Sequence, residues 1–133
     1  MKAFAIWLVG FVVAFGLYAG IDHAVRSSDP ERVLVVVDSS FAMRGVWGQI
    51  PRTLDAIDDG RYSEYALITE KRTIQGWGDR LTLGAVDPFA PCGFDAVASN
   101  PLVAEADRVI VITTSGSCPT DTLPSNWEVR LLG

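Results

Sequence analysis

The residues best suited to chemistry form a short polar run, Asp38-Ser39-Ser40, at the end of a Val-rich segment. An Asp beside serines suggests a hydroxyl nucleophile with a carboxylate base. The single histidine, His23, lies well upstream beside the apolar N-terminal segment, and the sequence has no Gly-x-Ser-x-Gly elbow to present a serine. The sequence therefore predicts no catalytic residue, and we expect a protein that is not an enzyme.

The sequence also lacks the residues and motifs for zinc binding and nucleotide binding, and its charge bears on nucleic-acid binding. One His and two Cys cannot assemble a standard zinc site, and the sequence contains neither a Gly-x-Gly-x-x-Gly nor a Walker loop. The formal net charge of −5 disfavours a nucleic-acid partner, because phosphates would be repelled. We therefore expect no cofactor and no nucleic acid.

The elements that would position the polar run belong to one small domain. The chain has 133 residues, of which 49% are apolar and 20% charged, and this composition excludes a disordered chain. Two β-branched runs, 31–38 and 108–114, predict strands that are buried on both faces, as in parallel sheets. A helical period predicts a helix over 46–57 that starts or kinks at Pro51.

Shorter patterns complete an α/β order. We predict strands at 65–69, 81–83 and 127–132, a loop around Gly76-Trp77-Gly78, and a helix at 94–106 broken at Pro101. The order β-α-β-β-α-β-β implies a layered α/β fold with a crevice at the carboxyl ends of its parallel strands. Trp77 is the preferred aromatic interface candidate because glycines flank it, although tryptophans more often pack in a core.

The segment 33–45, VLVVVDSSFAMRG, resembles the first strand and metal-binding loop of the von Willebrand factor A-type (VWA) domain, whose signature is Asp-x-Ser-x-Ser. The later runs RVIVITTSG and EVRLLG resemble further strands of that family, in the right order. The resemblance implies a small Rossmann-like (VWA-like) layered domain over 33–133, with a mostly parallel central sheet.

The metal-binding signature departs from the family pattern. Asp38 and Ser40 match its first two positions, but Ala42 replaces the last Ser. The family's Thr on a second loop falls near Phe94, and its Asp on a third loop falls at 114–115, where Thr and Ser stand. A hard divalent cation prefers several oxygens with carboxylate help. We expect no tightly bound metal, and Asp38 and Ser40 are the candidates for a weak site.

The resemblance also places the cysteines. Cys92 lies just before the position that matches the second loop and Cys118 just after the third, and these loops are neighbours in the VWA fold. The resemblance thus implies that a Cys92–Cys118 disulfide ties loops that the family ties with a metal, which requires an oxidising compartment. The alternative is a pair of partly buried thiols.

An uncharged apolar run, 3–21, predicts an N-terminal transmembrane helix, because about 20 such residues span a bilayer. The alternative is a cleaved secretory signal, although cleavage after Ala19 would leave Leu17 where a small residue is preferred. We predict an anchor helix at 1–22, a linker at 23–32 and the α/β domain at 33–133.

The anchor carries one candidate packing seam. Gly16 and Gly20 have the four-residue spacing that lets another helix approach closely, or they are glycines merely tolerated in lipid. Basic residues on the two sides nearly balance, so the charge rule barely orients the helix. The cysteines favour a domain outside the cytoplasm, and Arg outnumbers Lys as in GC-rich bacteria.

These patterns together predict a non-enzymatic, single-pass protein of the bacterial inner membrane with a periplasmic C-terminal domain. It would act through protein–protein contacts as an accessory or assembly subunit of a respiratory, photosynthetic or secretory complex. The alternative is a metal-dependent adhesion or ligand-binding module with a weak cation site at Asp38 and Ser40.

Overall fold

The computed structural model describes residues 2–133 and divides into two units, the first ending at Pro30 and the second covering Glu31–Gly133. The α-helices are α1 (Lys2–Ser28), α2 (Ile50–Ile57) and α3 (Pro101–Glu105). Short 3₁₀ helices, Phe41–Gly45 and Trp47–Gln49, precede α2. The strands are β1 (Glu31–Val37), β2 (Ser63–Thr69), β3 (Thr73–Gly78), β4 (Arg108–Thr114) and β5 (Glu128–Leu132).

Helix α1 has 27 residues and spans about 40 Å at about 1.5 Å each. Its large apolar side chains are exposed to between 54% and 81%. Among the described helices, α1 over Ala3–Ser28 is the one long and apolar enough to cross a membrane. A secretory signal near an N-terminus can share these properties.

Helix α1 also extends beyond the predicted anchor, 1–22, and takes up most of the predicted linker, 23–32. Near its end the Nε atom of Arg26 lies 3.1 Å from Oδ1 of Asp22, a pair spaced four residues apart on one face. The helix ends just before Pro30, because proline disfavours helical backbone in the residue that precedes it. The connection to β1 is correspondingly short.

The second unit is built on a five-stranded sheet in the order β3-β2-β1-β4-β5. Strand β1 pairs in parallel with both β2 and β4, β5 pairs in parallel with β4, and β3 is antiparallel to β2. The predicted α/β fold with a mostly parallel sheet is therefore confirmed. The two β-branched runs form the central strands, where both faces of the sheet are buried.

Alternate residues of β1 belong to two apolar clusters, one on each face of the sheet. On one face Val35 packs in a cluster with Ile50 and Leu54 of α2. On the opposite face Val36 packs in a cluster with Phe94 and, half-buried, with residues of α3. The sheet is thus covered on both sides, which leaves the carboxyl ends of its parallel strands as the edge where a site can form.

The prediction of a strand at 81–83 and a loop around Trp77 is wrong. The antiparallel strand is β3, which follows a tight turn in which the N–H of Thr69 donates to the carbonyl of Arg72 at 2.8 Å. Glycine weakens the interior of a strand, and Gly76 and Gly78 lie here in a strand at the edge of the sheet. Leu81 is instead an irregular core residue whose N–H donates to Oδ2 of Asp58 at 3.0 Å.

The predicted helices are shorter in the structure. Helix α2 begins at Ile50 with Pro51 in its first turn, where a missing N–H costs nothing, and 3₁₀ helices replace the predicted helix before it. In the region 94–106 only α3 is helical, and turns precede it. The Oδ1 atom of Asn100 accepts from the N–H of Leu102 at 3.0 Å, so this Asn caps α3.

Candidate functional site

The candidate site lies at the carboxyl ends of β1, β2 and β4. Strand β1 lies between the other two, so the chain runs to opposite sides of β1 in its two halves. Ligands of open α/β sheets bind where the strand order reverses in this way. Here Asp38 follows β1, Glu70 follows β2, and Ser117 lies just beyond β4.

Asp38 is fully buried, and both of its carboxylate oxygens accept hydrogen bonds from the protein. Its Oδ1 accepts from the backbone N–H of Ser40 at 2.8 Å, a local turn typical of Asp. Its Oδ2 accepts from the hydroxyl of Thr113 at 2.7 Å and from the hydroxyl of Ser117. The carboxylate therefore joins the loop after β1 to the end of β4 and the turn beyond it.

The hydroxyl of Ser117 lies at the centre of this cluster. Besides donating to Asp38, it lies 2.9 Å from the hydroxyl of Ser40 and 3.1 Å from the sulfur of Cys92. The Cα atoms of Cys92 and Cys118 are 5.5 Å apart, which is within the usual range for a disulfide. The structure thus places the two cysteines at disulfide-bonding distance beside the carboxylate.

Glu70 is a second buried carboxylate, and the sequence analysis missed it. Its Oε2 accepts from the N–H of Ser39 at 2.8 Å, and its Oε1 accepts from the Ser39 hydroxyl at 2.9 Å. Position 70 directly follows β2, the strand beside β1. The signal that could have found it is its place at the carboxyl end of a buried strand.

The Ser39–Glu70 pair has the arrangement of a hydroxyl with a carboxylate base, but its surroundings favour a structural role. Both side chains are buried, with exposures of 1% and 4%. A nucleophile has to reach its substrate, whereas this hydroxyl faces into the fold. His23 belongs to α1 in the other unit. The pair holds the loop after β1 against the end of β2.

The oxygens around Asp38 do not fit a tightly held divalent cation. Its oxygens already accept from hydroxyl and N–H groups, and the neighbouring ligand atoms are neutral hydroxyls. Among residues 2–133 no group of three or more His, Cys, Asp or Glu side chains is arranged to hold a metal. Ala42 is exposed, and Phe94 is buried in the core. Asp38 and Ser40 remain candidates for a weak cation site.

Two exposed phenylalanines lie beside this cluster, one at the start of the first 3₁₀ helix and one in a loop. The N–H of Phe41 donates to the carbonyl of Ala90 at 3.0 Å, next to Phe89. Both phenylalanines expose more than half of their surface. The guanidinium carbon of Arg44 lies 4.9 Å from the centroid of the Phe41 ring, and its Nε donates to the carbonyl of Pro88. We call Phe41, Arg44 and Phe89 the aromatic rim.

Trp77 does not belong to this site. It lies in β3 and is half-buried against the core cluster that contains Phe94. Its Nε1 donates to Oε2 of Glu105 at 2.7 Å, and the guanidinium carbon of Arg32 lies 5.6 Å from its ring centroid. These contacts fix the indole in place, and its role at an interface stays a prediction.

The proposed helix seam lies in the first unit. Gly16 and Gly20 both belong to α1, and the space where a Cβ would be added at each is open. Another helix can therefore approach this part of α1 closely. The packing of another helix against Gly16 and Gly20 stays a prediction.

Comparison of the chain with protein-family models, with curated proteins and with solved structures finds no match. The resemblance to VWA domains therefore depends on the residues quoted above and stays a prediction.

Proposed function

We propose that this protein is a non-enzymatic, single-pass membrane protein that acts through protein–protein contacts. In this proposal it is an accessory or assembly subunit of a larger bacterial membrane complex. Its α/β domain, a degenerate and VWA-like one, lies on the periplasmic side of the inner membrane.

The observation that carries this proposal is the exposure of apolar side chains on all sides of α1. Thirteen of its large apolar or aromatic side chains are exposed by more than half. Apolar surface of this extent in water is strongly unfavourable, at about 25 cal/mol for each Å². A bilayer covers such a helix on all sides, and its uncharged apolar run, 3–21, has about the length that spans the hydrocarbon core. A cleaved signal sequence is the alternative that the test must exclude.

The state of the buried carboxylates supports a role without catalysis. The carboxylate oxygens of Asp38 and Glu70 already accept hydrogen bonds from Ser39, Ser40, Thr113 and Ser117. A general base needs a free oxygen within reach of a substrate proton. In this arrangement the carboxylates hold loops together at the edge of the sheet.

The aromatic rim supports contact with another protein. Aromatic residues, Phe among them, and Arg are enriched at protein interfaces relative to the rest of the surface. Phe41 and Phe89 are exposed by 52% and 59%, and a backbone hydrogen bond joins the 3₁₀ helix that begins at Phe41 to the segment that contains Phe89. A pre-ordered apolar patch loses little conformational entropy when a partner binds it.

The test is a mild-detergent purification of the C-terminally tagged full chain from its native membranes. We expect intact protein that retains residues 1–21, together with a stoichiometric set of membrane subunits. Phe41→Ser/Phe89→Ser should lower the recovered subunits at least several-fold, whereas Arg61→Ala, an exposed control before β2, should not. A lone chain in detergent, or a mature protein that lacks the apolar segment, would contradict the proposal.

The alternative function is a ligand-binding module that depends on a weakly bound cation. The hydroxyls of Thr113 and Ser117 converge on Asp38, and the Ser40 hydroxyl contacts that of Ser117; this cluster favours the alternative, since oxygens are the ligands of hard cations. Titration of the full chain with Mg²⁺ or Mn²⁺ separates the two functions. Saturable binding that Asp38→Ala abolishes would support the alternative, and a flat titration would support the accessory role.

A further inference from the structure

Strand β5 ends the sheet with a regular, open edge. It pairs with β4 over five consecutive residues in unbroken parallel register, and among residues 2–133 no strand lies on its other side. The opposite edge strand, β3, is irregular, because its pairing with β2 contains two register shifts. Irregular edges discourage further pairing, whereas a regular edge presents N–H and C=O groups that can pair with another strand.

One face of β5 continues the apolar core to this edge. Val129 and Leu131 lie in register with Val111 and Thr113 of β4, and Val111 belongs to the core cluster on that face. The two β4 residues are fully buried. Val129 and Leu131 instead are 37% and 60% exposed. The core face therefore reaches the edge of the sheet without being covered there.

The other face of β5 carries opposite charges at alternate positions. Oε1 of Glu128 lies 2.7 Å from Nε of Arg130, and its Oε2 lies 3.2 Å from Nη2 of Arg108. Arg130 and Arg108 hold the pKa of the Glu128 carboxyl below its ordinary value, against a smaller opposing effect of burial. Glu128 is thus a carboxylate at neutral pH, with a guanidinium two residues further along the strand.

This arrangement is complementary to its own antiparallel copy. If two β5 strands meet around a two-fold axis at Val129, Glu128 of each lies opposite Arg130 of the other. On the apolar face Val129 meets Val129, and Leu131 meets Trp127. A register shifted to Arg130 would instead oppose two guanidinium groups and place Glu128 against Leu132. That shifted register would also bring Val129 opposite Leu131, so apolar contact does not choose between the two, and charge favours the register centred on Val129.

We propose that β5 pairs antiparallel with β5 of a second copy of this chain, on a two-fold axis at Val129. The sheet then continues across both copies, and the same patch serves on each side, as closed two-fold symmetry requires. The pairing satisfies the open backbone groups and covers Val129 and Leu131. It is independent of the aromatic rim and of any other subunit.

The test uses the full chain in detergent micelles with one added cysteine. The native cysteines form a pair, so a new thiol is the one available for cross-linking. In Val129→Cys the two Cα atoms would be about 5 Å apart, within disulfide range, and mild oxidation should give a covalent dimer on a non-reducing gel. In the matched control Leu131→Cys the equivalent atoms would lie about 14 Å apart, so that little dimer should form.

The register has its own check. A mixture of Glu128→Cys and Arg130→Cys chains should cross-link at least several-fold more than either variant alone. In the proposed register, position 128 of one copy lies opposite position 130 of the other, and neither position lies opposite itself. Equal cross-linking of Val129→Cys and Leu131→Cys, or none in either, would overturn the proposal.

Dimers formed through α1 are distinguished by a charge variant. Val129→Lys places like charges at the axis, and light scattering should show at least a tenfold weaker dimer while the circular dichroism spectrum is unchanged. If Val129→Lys does not fold, the cysteine series still decides. A dimer that persists in folded Val129→Lys, without cross-linking of Val129→Cys, would place the contact elsewhere and refute the β5 pairing.

Discussion

The hydroxyl of Thr113 donates a 2.7 Å hydrogen bond to Oδ2 of Asp38, across 75 residues of sequence. Both side chains are fully buried, so neither has water as an alternative partner. The bond joins the end of β4 to the loop after β1, at the position where a ligand site would lie in this kind of sheet. Side-chain hydrogen bonds within the protein therefore occupy this position.

Replacement of Thr113 by Val tests this structural role. Val keeps the shape and the β-branching, so the main change is loss of one hydrogen bond to a buried carboxylate. We expect the free energy of unfolding to fall by about 1.5–3 kcal/mol, the range for hydrogen bonds to charged groups. Chemical denaturation of the full chain in detergent measures it. The same change at the exposed Thr82 should alter stability by less than about 0.5 kcal/mol. Equal losses of stability in the two variants would show that the Thr113–Asp38 bond does not stabilise the fold.

The sequence predicted part of this site and missed the rest for a physical reason. Asp38 and Ser40 were identifiable because they directly follow a strand that is buried on both faces. Thr113 was assigned to a strand, and Ser117 and Glu70 carried no motif. Their roles arise from tertiary contacts, since the order of strands in the sheet decides which carboxyl ends are neighbours.

The fold shows the same division. The β-branched runs of β1 and β4 were predicted almost to the residue, because a doubly buried strand leaves a strong signal. Strand β3 was missed because an edge strand can contain Gly76 and Gly78 without a clear alternation. Leu81 is buried, as a strand residue would be, but its backbone is irregular and forms no strand.

Two glutamates near β2 give a matched comparison of buried and surface carboxylates. Glu70 accepts both the N–H and the hydroxyl of Ser39, whereas Glu64 pairs with Arg32 at 3.3 Å on the surface. Glu70→Gln puts an NH₂ group against a donor, so we expect a loss of about 1–3 kcal/mol in the free energy of unfolding. Glu64→Gln should cost no more than about 1 kcal/mol. A larger effect at Glu64 would mean that the buried pair does not hold the loop.

The cysteine pair predicts a redox-dependent stability. A Cys92–Cys118 bond closes a loop with a sequence separation of 26, which by chain entropy contributes about 3.5 kcal/mol. Peptide mass analysis without reductant should show the linked pair, and reductant should lower the melting temperature of the natural chain. The Cys92→Ser/Cys118→Ser variant should melt low with or without reductant. Two alkylatable thiols in protein taken from its native membranes would contradict the bond.

Glu128 predicts a small dependence of stability on acid pH. Its pKa is lowered, chiefly by its hydrogen bond to Arg130, so the folded state favours the carboxylate. A lowered pKa in the folded state stabilises the protein above the unfolded value, about 4.3 for Glu. That contribution disappears as the pH falls through the lower folded pKa.

A double-mutant cycle of Glu128→Gln and Arg130→Ala isolates this contribution. Because both side chains are still partly exposed to solvent, we expect a coupling free energy below about 1 kcal/mol at pH 7. The coupling should vanish at a pH well below 4, where the carboxyl is protonated in both states. Unfolding of the four proteins at low protein concentration, where β5 is unpaired, measures it. Coupling that stays constant down to pH 2 would show that packing, and not charge, joins the two side chains.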